Sequence, residues 1–182
     1  MDDYTLKYNS SYQMAVVHQK FNMTLASGVS DHATGELMTV DSKIPEGSVT
    51  KSYTVMAILR LIDQGKMGFN DTISSHVDKI LMSSNKTTLL EIWKNDTKIN
   101  NVTLYHLMHM KSGLQDYDDE GMYEWTLRNP TKDYSPLDYL YGLNKKWVCD
   151  PGACEYYSSV GMSLLTFAAA QYYNASSWDQ FD

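Results

Sequence analysis

Gly47-Ser48-Val49-Thr50-Lys51-Ser52-Tyr53-Thr54-Val55-Met56-Ala57-Ile58-Leu59-Arg60-Leu61-Ile62-Asp63-Gln64-Gly65 is the stretch around which the chain organises itself. Val55, Ile58, Leu59 and Ile62 recur at i, i+3, i+4 and i+7, the period of an α-helix, and Met56, Ala57 and Leu61 widen the apolar face. A helix apolar over most of its circumference is expected to be buried. Gly65 suits the left-handed position that follows a helix C-terminus. At the other end, Ser48 and Lys51 stand three residues apart, which puts a hydroxyl and an amine on one helical face.

That pair admits two readings. In one, Ser48 is an N-cap and Lys51 a solvated first-turn residue. In the other, Ser48 is a nucleophile. A serine hydroxyl needs a neighbouring base to take its proton, and a lysine serves only if desolvation or nearby positive charge lowers its pKa. The N–H groups and positive dipole end of the helix would then favour negative charge developing beside Ser48.

Working outward, Gln13 to His18 and Met23 to Val29 are β-prone runs joined by a polar segment, Gln19 to Asn22, and read as a hairpin. Asp31 to Gly47 reads as loop with one more short strand. Phe69 to Ile73 turns the chain after the first helix. Further helices are expected from Leu104 to Met110, after Ser135-Pro136, and from Val160 to Tyr173. No repeat or linker divides the 182 residues, so one domain over 1–182 is expected.

Composition removes several classes of function. With 43% hydrophobic residues the chain can build a core. A net charge of −7 provides no electrostatic footprint for nucleic acid. The apolar run Leu164 to Ala170 is far short of the roughly 20 residues needed to span a bilayer, so no membrane span is expected. The N-terminal residues lack the layout of a secretory signal, which is expected to lie outside this chain.

Seven positions read Asn-x-Ser/Thr: Asn9, Asn22, Asn70, Asn85, Asn95, Asn101 and Asn174. Random placement of 10 Asn among 32 Ser plus Thr would produce about 2. The excess points to a glycoprotein of the extracellular space or secretory lumen. Cys149 and Cys154 flank Asp150-Pro151-Gly152-Ala153, whose Pro-Gly turn brings them together, and in an oxidising compartment they are expected to form a disulfide. Read as metal ligands they would need two further partners. His106 and His109, three apart, also fall short of a ligand set and are read as structural, with no metal and no cofactor expected.

Three blocks in order carry a family likeness: Gly47 to Lys51 with Leu59 to Met67 and Asn70-Asp71; Val102 to Tyr117, containing Ser112-Gly113-Leu114; and Pro151 to Gly161, containing Tyr157-Ser158-Ser159. Together they resemble the serine β-lactamase and penicillin-binding-protein superfamily, in its class C and esterase-like branch, over roughly Met14 to Tyr173. The resemblance implies an α/β fold of the α+β sandwich type, β-lactamase/transpeptidase-like, with an N-terminal hairpin and a helical region. It implies that Ser48 attacks a carbonyl while Lys51 and Tyr157 share the proton traffic. Taken by itself, Tyr157 could equally be a core tyrosine.

The sequence departs from the family pattern in places. The second motif is usually Tyr-x-Asn, and Ser159 stands where the Asn would bind the acyl-amide side chain of a substrate. Met110 stands where a histidine often precedes Thr-Ser-Gly. The third motif, Lys-Thr-Gly or His-x-Gly, does not follow Tyr173, so the chain is expected to be the N-terminal portion of such a hydrolase, with an open sheet edge available for self-association. The expected function is acyl-enzyme hydrolysis of an ester, amide or β-lactam in a small molecule or peptide. The alternative is a non-catalytic secreted glycoprotein of the same fold with a binding or structural role.

Overall fold

The computed structural model describes residues 2–117 and 121–173. Contacts divide the chain into two compact units, Met1–Gly47 and Ser48–Asp182, with the boundary at the end of the loop-rich stretch that precedes Ser48.

The first unit opens with α1 (Asp2–Tyr8), followed by β1 (Tyr12–His18) and β2 (Phe21–Ser27). The two strands pair antiparallel, Tyr12 opposite Ser27 through His18 opposite Phe21. The connection is therefore Gln19-Lys20 alone, shorter than the Gln19 to Asn22 turn expected, because Phe21 and Asn22 continue the ladder. A second small hairpin follows, in which β3 (Val29–Asp31) pairs with β4 (Glu36–Leu37), the short strand expected between Asp31 and Gly47. The Ser27 hydroxyl fastens α1 to the end of β2 through Asp2 at 2.5 Å and Thr5 at 2.9 Å. Ladder hydrogen bonds on the outer edges of β1 and β2 have no strand partner among the described residues.

The second unit is helical: α2 (Thr50–Asp63), α3 (Ile73–Ser84), α4 (Leu89–Ile92), α5 (Leu104–Met108), α6 (Met122–Arg128), α7 (Pro136–Gly142) and α8 (Ser159–Ala170). Its centre is α8, whose sequence Ser-Val-Gly-Met-Ser-Leu-Leu-Thr-Phe-Ala-Ala-Ala buries ten of twelve residues. Around it pack α2, α3, α5 and α7. A helix apolar on every side belongs at such a centre, since each face removes carbon from water.

The all-round burial expected of α2 belongs instead to α8. Only Ile58 and Leu61 of α2 are fully buried, while Met56 remains 64% and Leu59 41% exposed. The reason is geometric: α8 covers one stripe of α2, and among the described residues the apolar side chains of the opposite stripe stay exposed. The helix ends as expected: Gly65, at φ +68°, donates to Ile62 and Lys66 donates to Leu61, closing a Schellman motif.

α3 has no counterpart among the expected elements, nor do α1, α4 and α6. Its stripe is nonetheless regular, with Ile73, His76, Val77, Ile80 and Leu81 buried on one side. Several starts are written in local chemistry. Thr103 with His106, Ser135 with Asp138 and Thr88 with Glu91 form capping boxes at α5, α7 and α4, and Pro136 occupies the first turn of α7.

Candidate active site

Ser48 lies in a short 3₁₀ turn, Gly47–Val49, that runs straight into α2 at Thr50. The residue at the cap position is Val49, in helical conformation, and no side chain caps the helix. The Ser48 hydroxyl is thus not spent on capping. Its Oγ lies 2.5 Å from the Tyr157 hydroxyl and accepts a hydrogen bond from Lys51 Nζ at 3.1 Å. Lys51 Nζ also sits 4.8 Å from the centre of the Tyr157 ring. Of the two readings of Ser48, the geometry excludes the capping one and brings serine, lysine and tyrosine to a single point.

Tyr157 is 51% exposed, so it is no core tyrosine. The Lys51 ammonium beside it, and then the Ser48 hydroxyl, hold its phenol below the ordinary tyrosine range; partial desolvation and the negative charge of Asp116 act the other way. A phenol that ionises more readily is better suited to take a proton near neutrality.

The segment leading into Tyr157 is held by backbone bonds to residues 35 to 46 positions earlier in the chain. Gly152 N–H donates to the Lys111 carbonyl at 2.7 Å, Val148 N–H to Gly113 at 2.9 Å, and Tyr156 N–H to Met110 at 2.8 Å. Met110 has φ +55°, and this left-handed turn presents its carbonyl to Tyr156. The loop so anchored carries the Cys149–Cys154 disulfide, as expected. Ion pairs Lys98–Asp150 at 2.7 Å and Lys111–Glu155 at 3.2 Å, together with the Trp147 indole donating to Asp96 at 3.0 Å, hold its flanks.

His106 and His109 both have structural partners. His106 Nδ1 accepts the Thr103 N–H at 3.3 Å inside the α5 capping box, and burial holds its imidazole below the usual range. His109 stacks on Tyr105 with 4.1 Å between ring centres and bonds the Tyr105 carbonyl at 2.9 Å. Ser159 is not tied into the Ser48–Lys51–Tyr157 bonds. It is 9% exposed at the start of α8, and its carbonyl accepts from the Ser163 hydroxyl. The neighbouring Ser158 caps α8, its Oγ accepting from Gly161 N–H and donating to the Gln115 carbonyl at 3.5 Å.

A model of the Beta-lactamase family matches residues 9–181. The chain belongs to the Beta-lactamase family. Its fold is the mixed α/β, β-lactamase/transpeptidase-like one that the three blocks implied, within the serine β-lactamase and penicillin-binding-protein superfamily. It is similar to the D-amino acid amidase of Ochrobactrum anthropi SV3 at 17% identity and TM-score 0.71, over 96% of this chain and 45% of that one. It is similar as well to the octameric penicillin-binding protein homologue of Pyrococcus abyssi, at 17% identity and TM-score 0.71, over 95% and 37%. A penicillin-binding protein of Bacillus halodurans matches at 17% identity and TM-score 0.65, over 95% and 48%. The chain thus spans less than half the length of these solved relatives of the Beta-lactamase fold.

One residue near the site carried no role in the sequence reading. Asp116 follows the Ser112-Gly113-Leu114 turn and is only 4% exposed. The signal available was a carboxylate inside a block already singled out. Its burial, and its nearness to Tyr157, come from folding.

Proposed function

We propose that this Beta-lactamase-family chain supplies the nucleophile and proton-transfer groups of a serine hydrolase that forms an acyl-enzyme on Ser48. The observation that carries the reading is the Ser48 Oγ held by both Tyr157 and Lys51 at 2.5 and 3.1 Å. Ser48 Oγ attacks the carbonyl carbon of an ester, amide or β-lactam, and its proton passes to the Tyr157 oxygen, whose ionised form Lys51 stabilises. Tyr157 returns that proton to the departing alcohol or amine as the tetrahedral adduct collapses. Water attacks the acyl-Ser48 carbonyl, gives a proton to the same oxygen, and frees the acid and the serine hydroxyl. The Ser48 N–H, at the α2 N-terminus, is one donor for the transient oxyanion. Ser159 is assigned to substrate contact on its place alone, two residues after Tyr157. Among substrates an ester or peptide-like amide is preferred, and the likeness to an amidase supports the amide.

Exposure of the purified chain to a fluorophosphonate and to a fluorescent penicillin tests this. A stoichiometric mass adduct, absent in Ser48→Ala, is the expected result. A folded chain that takes up neither probe would overturn the reading in favour of a non-catalytic relative.

We further infer passage through the secretory route. All six Asn-x-Ser/Thr acceptors within the described residues, Asn9, Asn22, Asn70, Asn85, Asn95 and Asn101, are exposed, while Asn174 lies outside them. The disulfide fits the same compartment. Protein recovered from a eukaryotic secretory host should lose mass on treatment with an N-glycosidase; an unchanged mass sinks this inference.

A further inference from the structure

The Ser158 hydroxyl meets the Gln115 carbonyl at 3.5 Å, which brings the turn after α5 beside the segment entering α8, with Asp116 and Tyr157 each one residue from that bond. Among the described residues Asp116 is the one carboxylate that is fully buried, and its Oδ1 accepts the Tyr117 N–H at 2.8 Å, which fixes it in the turn. A charge removed from water acts on its neighbours through a weakly screening medium.

From this juxtaposition we propose that Asp116 is a positioning residue of the site, its buried carboxylate balancing the Lys51 ammonium across Tyr157 and so setting the pH at which Tyr157 can relieve Ser48 of its proton. The proposal rests on the hydrolase reading above for its consequence, though not for its first measurement. Among the described residues, the charges that bear on Tyr157 are Lys51 from α2 and Asp116 from the 112–117 turn, and the Lys111–Glu155 pair lies two residues before it in the chain. Lys51 favours the phenolate and Asp116 opposes it, so the two together hold the phenol at an intermediate point. Without Asp116 only partial desolvation is left to oppose the lysine.

Tyr157 can be followed among 14 tyrosines by subtracting the tyrosinate absorbance titration of Tyr157→Phe from that of the parent. In an Asp116→Asn background, which keeps an acceptor for the Tyr117 N–H, this difference titration should move about half a pH unit lower. Asp116→Ser, a second uncharged variant with an acceptor, should do the same, and Asp116→Glu should stay with the parent. The low-pH limb of Ser48 labelling should move by the same amount in the same direction. A folded Asp116→Asn or Asp116→Ser protein whose Tyr157 titration coincides with the parent's overturns the proposal. If the titration moves but Ser48 never labels, the charge relation stands and the hydrolase reading fails; the reverse pattern removes Asp116 and leaves the hydrolase.

Discussion

Tyr157→Phe will slow fluorophosphonate capture of Ser48 by roughly 100-fold to 10,000-fold, the range a positioned general base contributes. The substitution deletes one oxygen, the one 2.5 Å from Ser48 Oγ, and leaves the ring in place. Because that ring is half exposed and contributes little to the core, thermal stability should change by less than about 0.5 kcal/mol. Rate loss without stability loss separates chemistry from folding. The pH dependence supplies a second signature. Lys51 and Ser48 hold the phenol below its ordinary range, so the labelling rate of the parent should rise with pH as Tyr157 ionises and level off below the pH of a free tyrosine. Tyr157→Phe should lack that limb. Labelling of Tyr157→Phe at the parental rate would mean that Lys51 alone activates Ser48.

Gly113→Ala should disable the same site from a distance. Gly113 has φ +71°, and a Cβ there would overlap the Cys149 carbonyl oxygen, with the carbonyl carbon at 3.0 Å and the disulfide sulfur at 3.3 Å. The obstacle is backbone inside a disulfide loop and cannot swing aside as a side-chain tip would. Left-handed strain and overpacking together should destabilise the protein by roughly 2–5 kcal/mol. Relief requires moving residues 148–156 away from 110–114, which breaks the bonds that deliver Tyr157, so Ser48 labelling should fall along with stability. Gly65→Ala is the control, because Gly65 shares the positive φ but would place its Cβ in open space. It should cost only about 1–2 kcal/mol and leave labelling intact. Equal unfolding temperatures for the two variants, by calorimetry or circular dichroism, would show that the close approach at Cys149 has no energetic weight.

Where the signal was local, the fold was legible. The Schellman end of α2 at Gly65, the Ser135-Pro136 start of α7 and the β1–β2 hairpin each follow from a few adjacent residues. α3 carried a helical stripe as regular as that of α2, yet Ser74, Ser75, Ser83 and Ser84 dilute it and the preceding Asn-Asp-Thr reads as a turn. The burial of α2 departs from its pattern for a different reason: periodicity reports which side chains could be buried, whereas burial depends on which partner arrives. The partner is α8, and it covers one stripe.

By itself the sequence determined the chemistry on offer: a hydroxyl and an amine one helical turn apart, a tyrosine in the block Pro151 to Gly161, two cysteines close enough to pair, and the helix that carries the first two. Periods, caps and turns are short-range properties, and neighbouring residues suffice to express them. Only the tertiary structure decided that Ser48 forgoes the helix cap for Tyr157, that a half-exposed phenol stands beside Lys51, and that Asp116 is buried in the turn next to the segment entering α8. Each of those facts joins residues some 40 to 110 positions apart, and such contacts exist only once α8 has been enclosed and the disulfide loop laid against the Ser112-Gly113-Leu114 turn.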